Sequence, residues 1–176
     1  MHAMRGVLAV DQAILLRLRR WHFPVVTRFM RAVTHLGDAS SWILVVAVLV
    51  AAGGAARVYG LDLGVAVLTA TILSQAMKRL WRRPRPTSGI GGVNAGFTAL
   101  VENPDAFSFP SGHTAAAFAA ALALSGQGEW LGAVCLALAF GIGVSRVYLG
   151  AHYPLDVAAG AALGAVAGAA VRPLFF

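Results

Sequence analysis

The stretch "FSFPSGHTAAAFAA", residues 107–120, places the ionisable side chain of His113 at the start of an apolar run. Ser111 is a residue type that favours the position just before a helix, so the stretch predicts a helix that begins near Gly112. The first backbone N–H groups of such a helix have no partner within it and point outward. A helix start of this kind attracts anions, and a glycine lets an anion approach the backbone closely. The stretch therefore predicts an anion site at the end of an apolar helix.

The composition of the chain indicates that lipid is its main solvent. Of its 176 residues, 59% are hydrophobic and 12% are charged, which is about half the charged fraction of roughly 25% in soluble domains. A transmembrane helix takes about 20 apolar residues, and five windows approach that length: residues 42–59, 61–77, 114–125, 130–149 and 155–171. We expect an all-α, polytopic membrane helical bundle with five transmembrane helices, or six if residues 1–40 also cross.

The connections between these windows are short except for one. Gly60 joins the first two windows, and "GQGEW", residues 126–130, joins the third and fourth. Residues 78–112 form the one long connection, and a loop of that length in a small domain is usually functional. Gly160, Gly164 and Gly168 recur every four residues in the last window, a spacing that lets two helices pack closely.

Residues 1–40 read as an interfacial N-terminal region of a single domain that covers residues 1–176. Asp11 interrupts the apolar stretch, so a secretory signal peptide is not expected. Apolar and basic residues alternate in a way that suits a helix lying in the membrane interface: Ile14, Leu15, Leu18 and Trp21 against Arg17, Arg19 and Arg20. A lone Cys135 cannot form an internal disulfide and reads as a small apolar residue.

The net charge of +7 points to an anionic partner. The arginines lie beside apolar windows rather than in one solvated patch, so we expect them to face lipid head groups or a phosphorylated ligand. The predicted partners are the membrane bilayer and a phosphorylated lipid, and nucleic acid is not expected. The oligomeric state is left open.

Three polar clusters meet at one membrane face if residues 1–40 do not cross. They are Lys78, Arg85 and Pro86 in "KRLWRRPRP"; Pro110, Ser111, Gly112 and His113 in "PSGH"; and Ser145, Arg146, His152 and Asp156 in "SRVYLGAHYPLD". Together they offer three cations, a hydroxyl and backbone N–H groups around two histidines. That set suits a phosphoryl group, whose transfer depends on positioning and charge stabilisation.

The third cluster predicts an activated histidine. Pro154 is expected in the first turn of the last helix, with Asp156 four residues after His152. A carboxylate that binds one ring nitrogen fixes the tautomer and makes the other nitrogen more nucleophilic. On spacing alone the pair also suits a structural closure of the helix start. Lys78 and Arg85 alone would suit snorkelling towards anionic lipid, and His113 alone an interfacial residue.

Taken in order, the motifs K-x6-RP, PSGH and SR-x5-H-x3-D resemble the three-part signature of the type 2 phosphatidic acid phosphatase family. The resemblance implies that His152 attacks phosphorus to form a phosphohistidine, that Asp156 orients it, and that His113 protonates the leaving group. It implies no metal and no other cofactor. It assigns the phosphoryl oxygens to Lys78, Arg85, Ser111, Gly112 and Arg146, with Pro86, Pro110 and Ser145 in support.

The resemblance leaves the substrate and the reaction partner open. A polyprenyl phosphate or pyrophosphate, phosphatidic acid and phosphatidylglycerophosphate all combine a phosphate with a lipid. The short chain is similar to compact bacterial undecaprenyl pyrophosphate phosphatases, which favours that substrate. The alternatives are a phosphotransferase that passes the phosphate to another lipid and a non-catalytic protein that binds or transports a lipid phosphate. The membrane windows disfavour the soluble haloperoxidases of the same superfamily.

The membrane face is predicted in two opposite ways. The arginines of residues 17–31 place the site in the cytoplasm by the positive-inside rule, whereas the resemblance implies the extracytoplasmic face of a bacterial inner membrane, which we expect.

Other polar residues receive lesser roles: surface positions for His2, His22 and His35; head-group or substrate contact for Arg79, Arg82 and Arg83; and capping or lining of the entrance for Asp38, Glu102 and Asp105.

Overall fold

The computed structural model describes residues 2–20, 22–87, 99–102 and 105–171, in which there are seven α-helices and no strand. The helices are α1 (His2–Arg19), α2 (Pro24–His35), α3 (Ala39–Ala52), α4 (Gly54–Trp81), α5 (Gly112–Leu124), α6 (Glu129–Tyr148) and α7 (Pro154–Val171). The predicted all-α bundle is confirmed. Trp21, which the sequence places on the interfacial helix, lies outside the described residues.

Four of the five predicted windows each correspond to one helix of this bundle, whereas the window 42–59 is divided between α3 and α4 at Gly53. α4, α6 and α7 are each long and apolar enough to cross a membrane. α2 and α3 meet at a bend of 52° and would supply a fourth span if they are taken together. α5 is apolar but has only 13 residues, so it is shorter than the hydrocarbon core is thick.

The predicted turn at Gly60 is wrong. The chain turns at Gly53, whose φ of 73° lies in the left-handed region that glycine adopts without strain. Gly60 lies inside α4 instead, where a Cβ would come within 3.0 Å of both Leu49 and Val50 on α3. The glycine at position 60 therefore serves the close approach of two helices rather than a turn.

The long loop also begins later than predicted. α4 continues through Lys78 and ends at Trp81, with Arg82 in the left-handed conformation at a φ of 44°. Lys78 is thus a buried residue of the last helical turn rather than a loop residue.

α5 is the central helix, and α7 packs directly on it. A Cβ at Gly160, Gly164 or Gly168 of α7 would overlap the carbonyl oxygen of Ser111, Ala115 or Ala119, respectively. The close packing predicted from the glycine spacing is confirmed. At the N-terminal ends of the two helices the backbone N–H of Ser111 donates to the carbonyl of Asp156 at 2.9 Å. This hydrogen bond ties the first turns of α5 and α7 together.

The N-terminal helices lie at the same end of the bundle. His22, just before α2, contacts the carbonyl of Tyr148 at 2.8 Å, and Thr34, near the end of α2, accepts from Arg146. Both ends of α2 therefore contact the last turn of α6. In α1, Asp11 accepts from the backbone N–H of Leu155 at 2.9 Å.

We expect Gly164→Ala to destabilise the protein by about 2 kcal/mol or more, because the added methyl group meets helix backbone and forces α5 and α7 apart. Thermal unfolding in detergent measures the effect. Gly141→Ala is the matched control, since its Cβ would lie 3.6 Å from Val33, an ordinary contact. Alanine favours a helix over glycine by up to about 1 kcal/mol, so the control keeps or gains stability. Equal melting temperatures for the two variants would contradict the packing argument.

Candidate active site

A cavity of about 890 Å³ opens beside the first turn of α5, next to His152 and to the turn that precedes α3. Its polar end brings together Lys78, Arg85, Arg146, His113 and His152, one or more from each of the three predicted clusters. The cavity then continues between α3 and α4. The sequence motifs therefore converge on one space, as predicted.

His152 is held as a neutral imidazole. Its side chain is 1% exposed, and Nδ1 lies 2.8 Å from the carbonyl oxygen of Ser108. A carbonyl only accepts, so the ring proton sits on Nδ1 and Nε2 keeps its lone pair. Burial, together with the positive charges of Arg85 and Arg146, lowers the pKa of His152 well below its ordinary value. Nε2 is thus an unprotonated nitrogen that faces the cations, with Arg85 Nη1 at 3.4 Å.

Asp156 orients this histidine less directly than predicted. Its Oδ2 lies 3.6 Å from Nδ1 of His152, within ion-pair range but beyond a good hydrogen bond. The same oxygen accepts from the backbone N–H of Tyr153 at 2.9 Å. Pro154 begins α7, as expected. Asp156 therefore fixes the start of α7, while the carbonyl of Ser108 is the hydrogen-bond partner of the imidazole.

The prediction that Arg83 contacts head groups or substrate is wrong. Arg83 donates to Asp156 Oδ1 at 2.7 Å and to Asp11 Oδ2 at 2.5 Å, and its guanidinium lies 4.0 Å from the centre of the Tyr153 ring. Asp11 and Asp156 are both almost fully buried. Two buried carboxylates need a shared cation to be tolerated, so Arg83 ties α1 to the start of α7.

A carboxylate stands between two of the predicted phosphate-binding cations. Lys78 Nζ donates to Asp105 Oδ2 at 2.5 Å, and Arg85 donates to the other oxygen. Arg85 also donates to the backbone carbonyls of Asp105 and Ala151, each at 2.8 Å. Burial alone would raise the pKa of Asp105, but the hydrogen bonds and charges of Lys78 and Arg85 lower it below its ordinary value. An ionised carboxylate thus occupies the place where two phosphoryl oxygens are expected.

Arg146, the third cation, is 2% exposed and donates to Thr34 Oγ1 at 2.9 Å. Its neighbour Ser145 donates to the carbonyl of Ile142 at 2.6 Å, within its own helix. Ser145 is therefore a structural residue, whereas the guanidinium of Arg146 lines the cavity.

Ser111 caps α5 as predicted. Its Oγ accepts from the backbone N–H and the hydroxyl of Thr114, at 3.5 and 2.9 Å. Gly112 follows at the cavity wall, where a Cβ would lie 3.4 Å from Ser74 Oγ. The backbone N–H groups at this helix start remain suited to an anion.

The partner of the His113 ring is a carboxylate. Its Nε2 lies 2.9 Å from Asp38 Oδ1, and the other oxygen of Asp38 lies 2.8 Å from Nδ1 of His35. Asp38 and Asp105 line the cavity, as predicted for the entrance, whereas Glu102 is exposed outside it.

The two prolines of the motifs, Pro86 and Pro110, are buried beside the site. Among the described residues, no three His, Cys, Asp or Glu side chains come together as metal ligands. A second groove, of about 410 Å³, is lined only by residues of α2 and α6 and holds none of the predicted site residues.

Comparison with known proteins gives the chain a family. Residues 59–176 match the model of the PAP2 superfamily. The chain belongs to the PAP2 superfamily. It is 35% identical over 170 residues to a decaprenylphosphoryl-5-phosphoribose phosphatase of Mycobacterium tuberculosis, with 96% of this chain and 90% of the relative covered. It is 31% identical over 175 residues to phosphatidylglycerophosphatase B of Bacillus subtilis, with 90% and 80% covered.

A solved structure has the same fold. The crystal structure of a transmembrane PAP2-type phosphatidylglycerolphosphate phosphatase from Bacillus subtilis is similar with a TM-score of 0.81 at 26% sequence identity, covering 96% of this chain and 86% of the other. The predicted family and lipid phosphatase activity are confirmed. The chain is an integral membrane phosphatase of phosphorylated lipids.

Several residues of this PAP2 phosphatase site escaped the sequence reasoning. Asp11 and Thr34, from the N-terminal helices, hold Arg83 and Arg146, and Ser108 contributes its backbone carbonyl to His152. The carboxylates of Asp38 and Asp105 were placed at the entrance without partners. The one available signal was that Asp11 and Asp38 are carboxylates in a chain with only 7 acidic residues.

Asp105→Asn should tighten the binding of orthovanadate, a phosphate analogue, by about tenfold or more. The ionised carboxylate competes for Lys78 and Arg85, and a hydrogen bond to a charged group contributes about 1.5–3 kcal/mol. Inhibition of phosphate release by vanadate measures the change. Glu102→Gln removes an exposed carboxylate outside the cavity and leaves the inhibition unchanged. Weaker inhibition in Asp105→Asn would instead make Asp105 a residue that positions the cations.

Proposed function

We propose that this phosphatase hydrolyses the terminal phosphate or pyrophosphate of a polyprenyl lipid through a phosphohistidine at His152. One observation carries the proposal: an unprotonated, buried imidazole nitrogen faces buried cations at the head of an apolar slot. Such a nitrogen attacks phosphorus, and the cations stabilise the charge that develops on the phosphoryl oxygens.

The slot supports a substrate with a single long chain. From the cations the cavity runs between two helices, past Trp42 and Val50 of α3 and past Leu68 and Gly64 of α4. From Lys78 to Gly64 the helix rises about 21 Å, which is most of the thickness of a hydrocarbon core. One slot between two helices suits one polyprenyl chain better than two acyl chains. The similar mycobacterial phosphatase is named for a decaprenylphosphoryl compound.

The proposed chemistry has two steps. His152 Nε2 attacks phosphorus and the bond from phosphorus to the leaving oxygen breaks, while His113 gives a proton to that oxygen. His113 then takes a proton from water, whose oxygen attacks the phosphohistidine and restores His152. Lys78, Arg85 and Arg146, with the N–H groups at the start of α5, hold the phosphoryl oxygens in both steps.

His152→Ala should abolish phosphate release, with a loss of about 10³-fold or more, because the covalent route is removed. The assay uses purified protein in detergent, with a chelator present, on decaprenylphosphoryl-5-phosphoribose, undecaprenyl pyrophosphate, phosphatidylglycerophosphate and phosphatidic acid. His22→Ala is the control, since His22 contacts a backbone carbonyl outside the cavity. A labelled, acid-labile phosphoprotein should form in wild type and not in His152→Ala.

The outcomes separate the competing functions. Preference for the two polyprenyl substrates supports the proposal, and preference for either diacyl lipid overturns its choice of substrate. Transfer of label to an added acceptor lipid in place of water would indicate a phosphotransferase. Binding without release, in wild type, would indicate a lipid-phosphate binding or transport protein.

We further propose that the site lies on the extracytoplasmic face of a bacterial inner membrane. Arg17, Arg20, Arg28 and Arg31 at this end are exposed, but Lys78, Arg83 and Arg85 are committed inside the protein, where each pairs with an aspartate. Such charges count little in the positive-inside rule. The extracytoplasmic face is also the one that the family resemblance implies.

Cysteine labelling tests the membrane face. In a Cys135→Ala background, Ala106→Cys marks an exposed position at the site and Glu129→Cys an exposed position at the far end of α6. A membrane-impermeant maleimide should label Ala106→Cys on intact bacterial cells, and Glu129→Cys only after permeabilisation. The reverse pattern would place the site in the cytoplasm.

A further inference from the structure

We propose that Asp38 is the positioning residue that makes His113 an acid, by holding the Nε2 end of its ring and stabilising the charged imidazolium among the cations of the site. The inference rests on the proposed function, in which His113 protonates the leaving group. The sequence motifs of the family resemblance do not include Asp38.

The hydrogen bond decides which ring nitrogen meets the substrate. His113 Nε2 lies 2.9 Å from Asp38 Oδ1, and a carboxylate only accepts, so Nε2 carries a proton that it donates to Asp38. Nδ1 is then the nitrogen that serves the leaving group. In the first step the Nδ1 proton passes to the leaving oxygen as its bond to phosphorus breaks, while the other proton stays on Nε2, hydrogen-bonded to Asp38. The neutral ring then has its lone pair on Nδ1, ready to take a proton from water.

The charge of Asp38 matters because the surroundings oppose an imidazolium. Burial most strongly, and then the positive charges of Arg146 and Lys78, disfavour the charged form of His113, whereas Asp38 favours it. The titratable or charged groups facing this ring are Asp38, Arg146, Lys78 and His152, with His35 beyond Asp38. Asp38 is the only described carboxylate that contacts the ring. Without it, a cationic acid would have to form among like charges.

The carboxylate is committed to this histidine rather than to its own helix. Asp38 occupies the N-cap position of α3, yet its side chain makes no capping hydrogen bond. Its second oxygen lies 2.8 Å from Nδ1 of His35, whose side chain is largely exposed, so each oxygen has one imidazole partner. His35 thereby fixes the carboxylate from the solvent side.

The turn before α3 also fixes the ring by contact. A Cβ at Gly37 would lie 3.1 Å from Cδ2 of His113 and 3.0 Å from a methyl carbon of Ile142. The ring thus packs against the bare backbone of Gly37, next to the carboxylate that binds it. Two adjacent residues, one by charge and one by the absence of a side chain, set the orientation of His113.

Leaving groups of different basicity test the inference. Octyl phosphate releases an alkoxide that needs a proton, whereas p-nitrophenyl phosphate releases a stable phenolate that does not. Asp38→Asn should lower kcat on octyl phosphate by about 10²-fold, the lower end for general acid catalysis. It should change kcat on p-nitrophenyl phosphate by less than about threefold, and the basic limb of the octyl phosphate pH profile should move to lower pH. A residue needed only for folding would lower both activities equally.

Two comparisons keep the inference separate from the proposed function. His113→Ala should show the same selectivity between the two substrates, and Asp38→Asn should add little to it in the double variant. Equal losses on both substrates in His113→Ala would overturn the acid role of His113 itself. Selective loss in His113→Ala with none in Asp38→Asn would overturn the role of Asp38 alone. Glu102→Gln is the control for loss of a carboxylate and leaves both activities unchanged.

Gly37→Ala supplies a second variant that keeps the carboxylate. Its methyl group crowds the His113 ring, so the variant should again lose activity on octyl phosphate and keep activity on p-nitrophenyl phosphate. Retained activity on p-nitrophenyl phosphate also reports a folded site in each variant. If Asp38→Asn does not fold, equal losses on the two substrates in Gly37→Ala overturn the inference.

Discussion

The contact between α5 and α7 sets the distance between the two histidines of the site. His113 lies in the first turn of α5, and His152 lies just before α7 begins. The two helix starts are level because Gly160 packs on the carbonyl of Ser111, whose own N–H donates to the carbonyl of Asp156. A side chain at position 160 would push α7 away from α5 and carry His152 with it. Close packing in the apolar interior therefore determines the geometry of the chemistry at the membrane boundary.

The charges of the site impose a second condition on the fold. Lys78, Arg85 and Arg146 are all buried, and buried charges of one sign destabilise a protein unless opposite charges or hydrogen bonds compensate them. Asp105 compensates two of these cations and Asp38 lies close enough to act on the third. The carboxylates thus stabilise the group of cations that we propose holds a phosphate.

The sequence predicts what depends on local pattern and misses what depends on contact. The Ser111 cap, the glycine spacing of α7 and four of the five apolar windows are periodic or adjacent features that the structure contains. The bond between Arg83 and Asp11 joins residues 72 positions apart, and no local pattern relates them. The partner of His152 is a backbone carbonyl, which every residue possesses, so residue type gives no signal for Ser108. The turn at Gly53 is not predicted, because the small residues at positions 51–56 offer several equivalent places for a helix to end.

The two histidines are held by acceptors of different charge, and the difference matches the two proposed roles. Nδ1 of His152 meets the neutral carbonyl of Ser108, with the carboxylate of Asp156 farther away. A neutral acceptor among cations favours the neutral ring, which a nucleophile needs. Nε2 of His113 meets the carboxylate of Asp38 directly, and a charged acceptor favours the imidazolium, which an acid needs. Burial lowers the pKa of both rings, but His113 donates directly to a carboxylate that opposes this effect, whereas His152 donates to a carbonyl. Such a difference in environment is how one site can obtain both a nucleophile and an acid. The motifs supply two identical side chains, and two residues outside the motifs, Asp38 and Ser108, make their environments different.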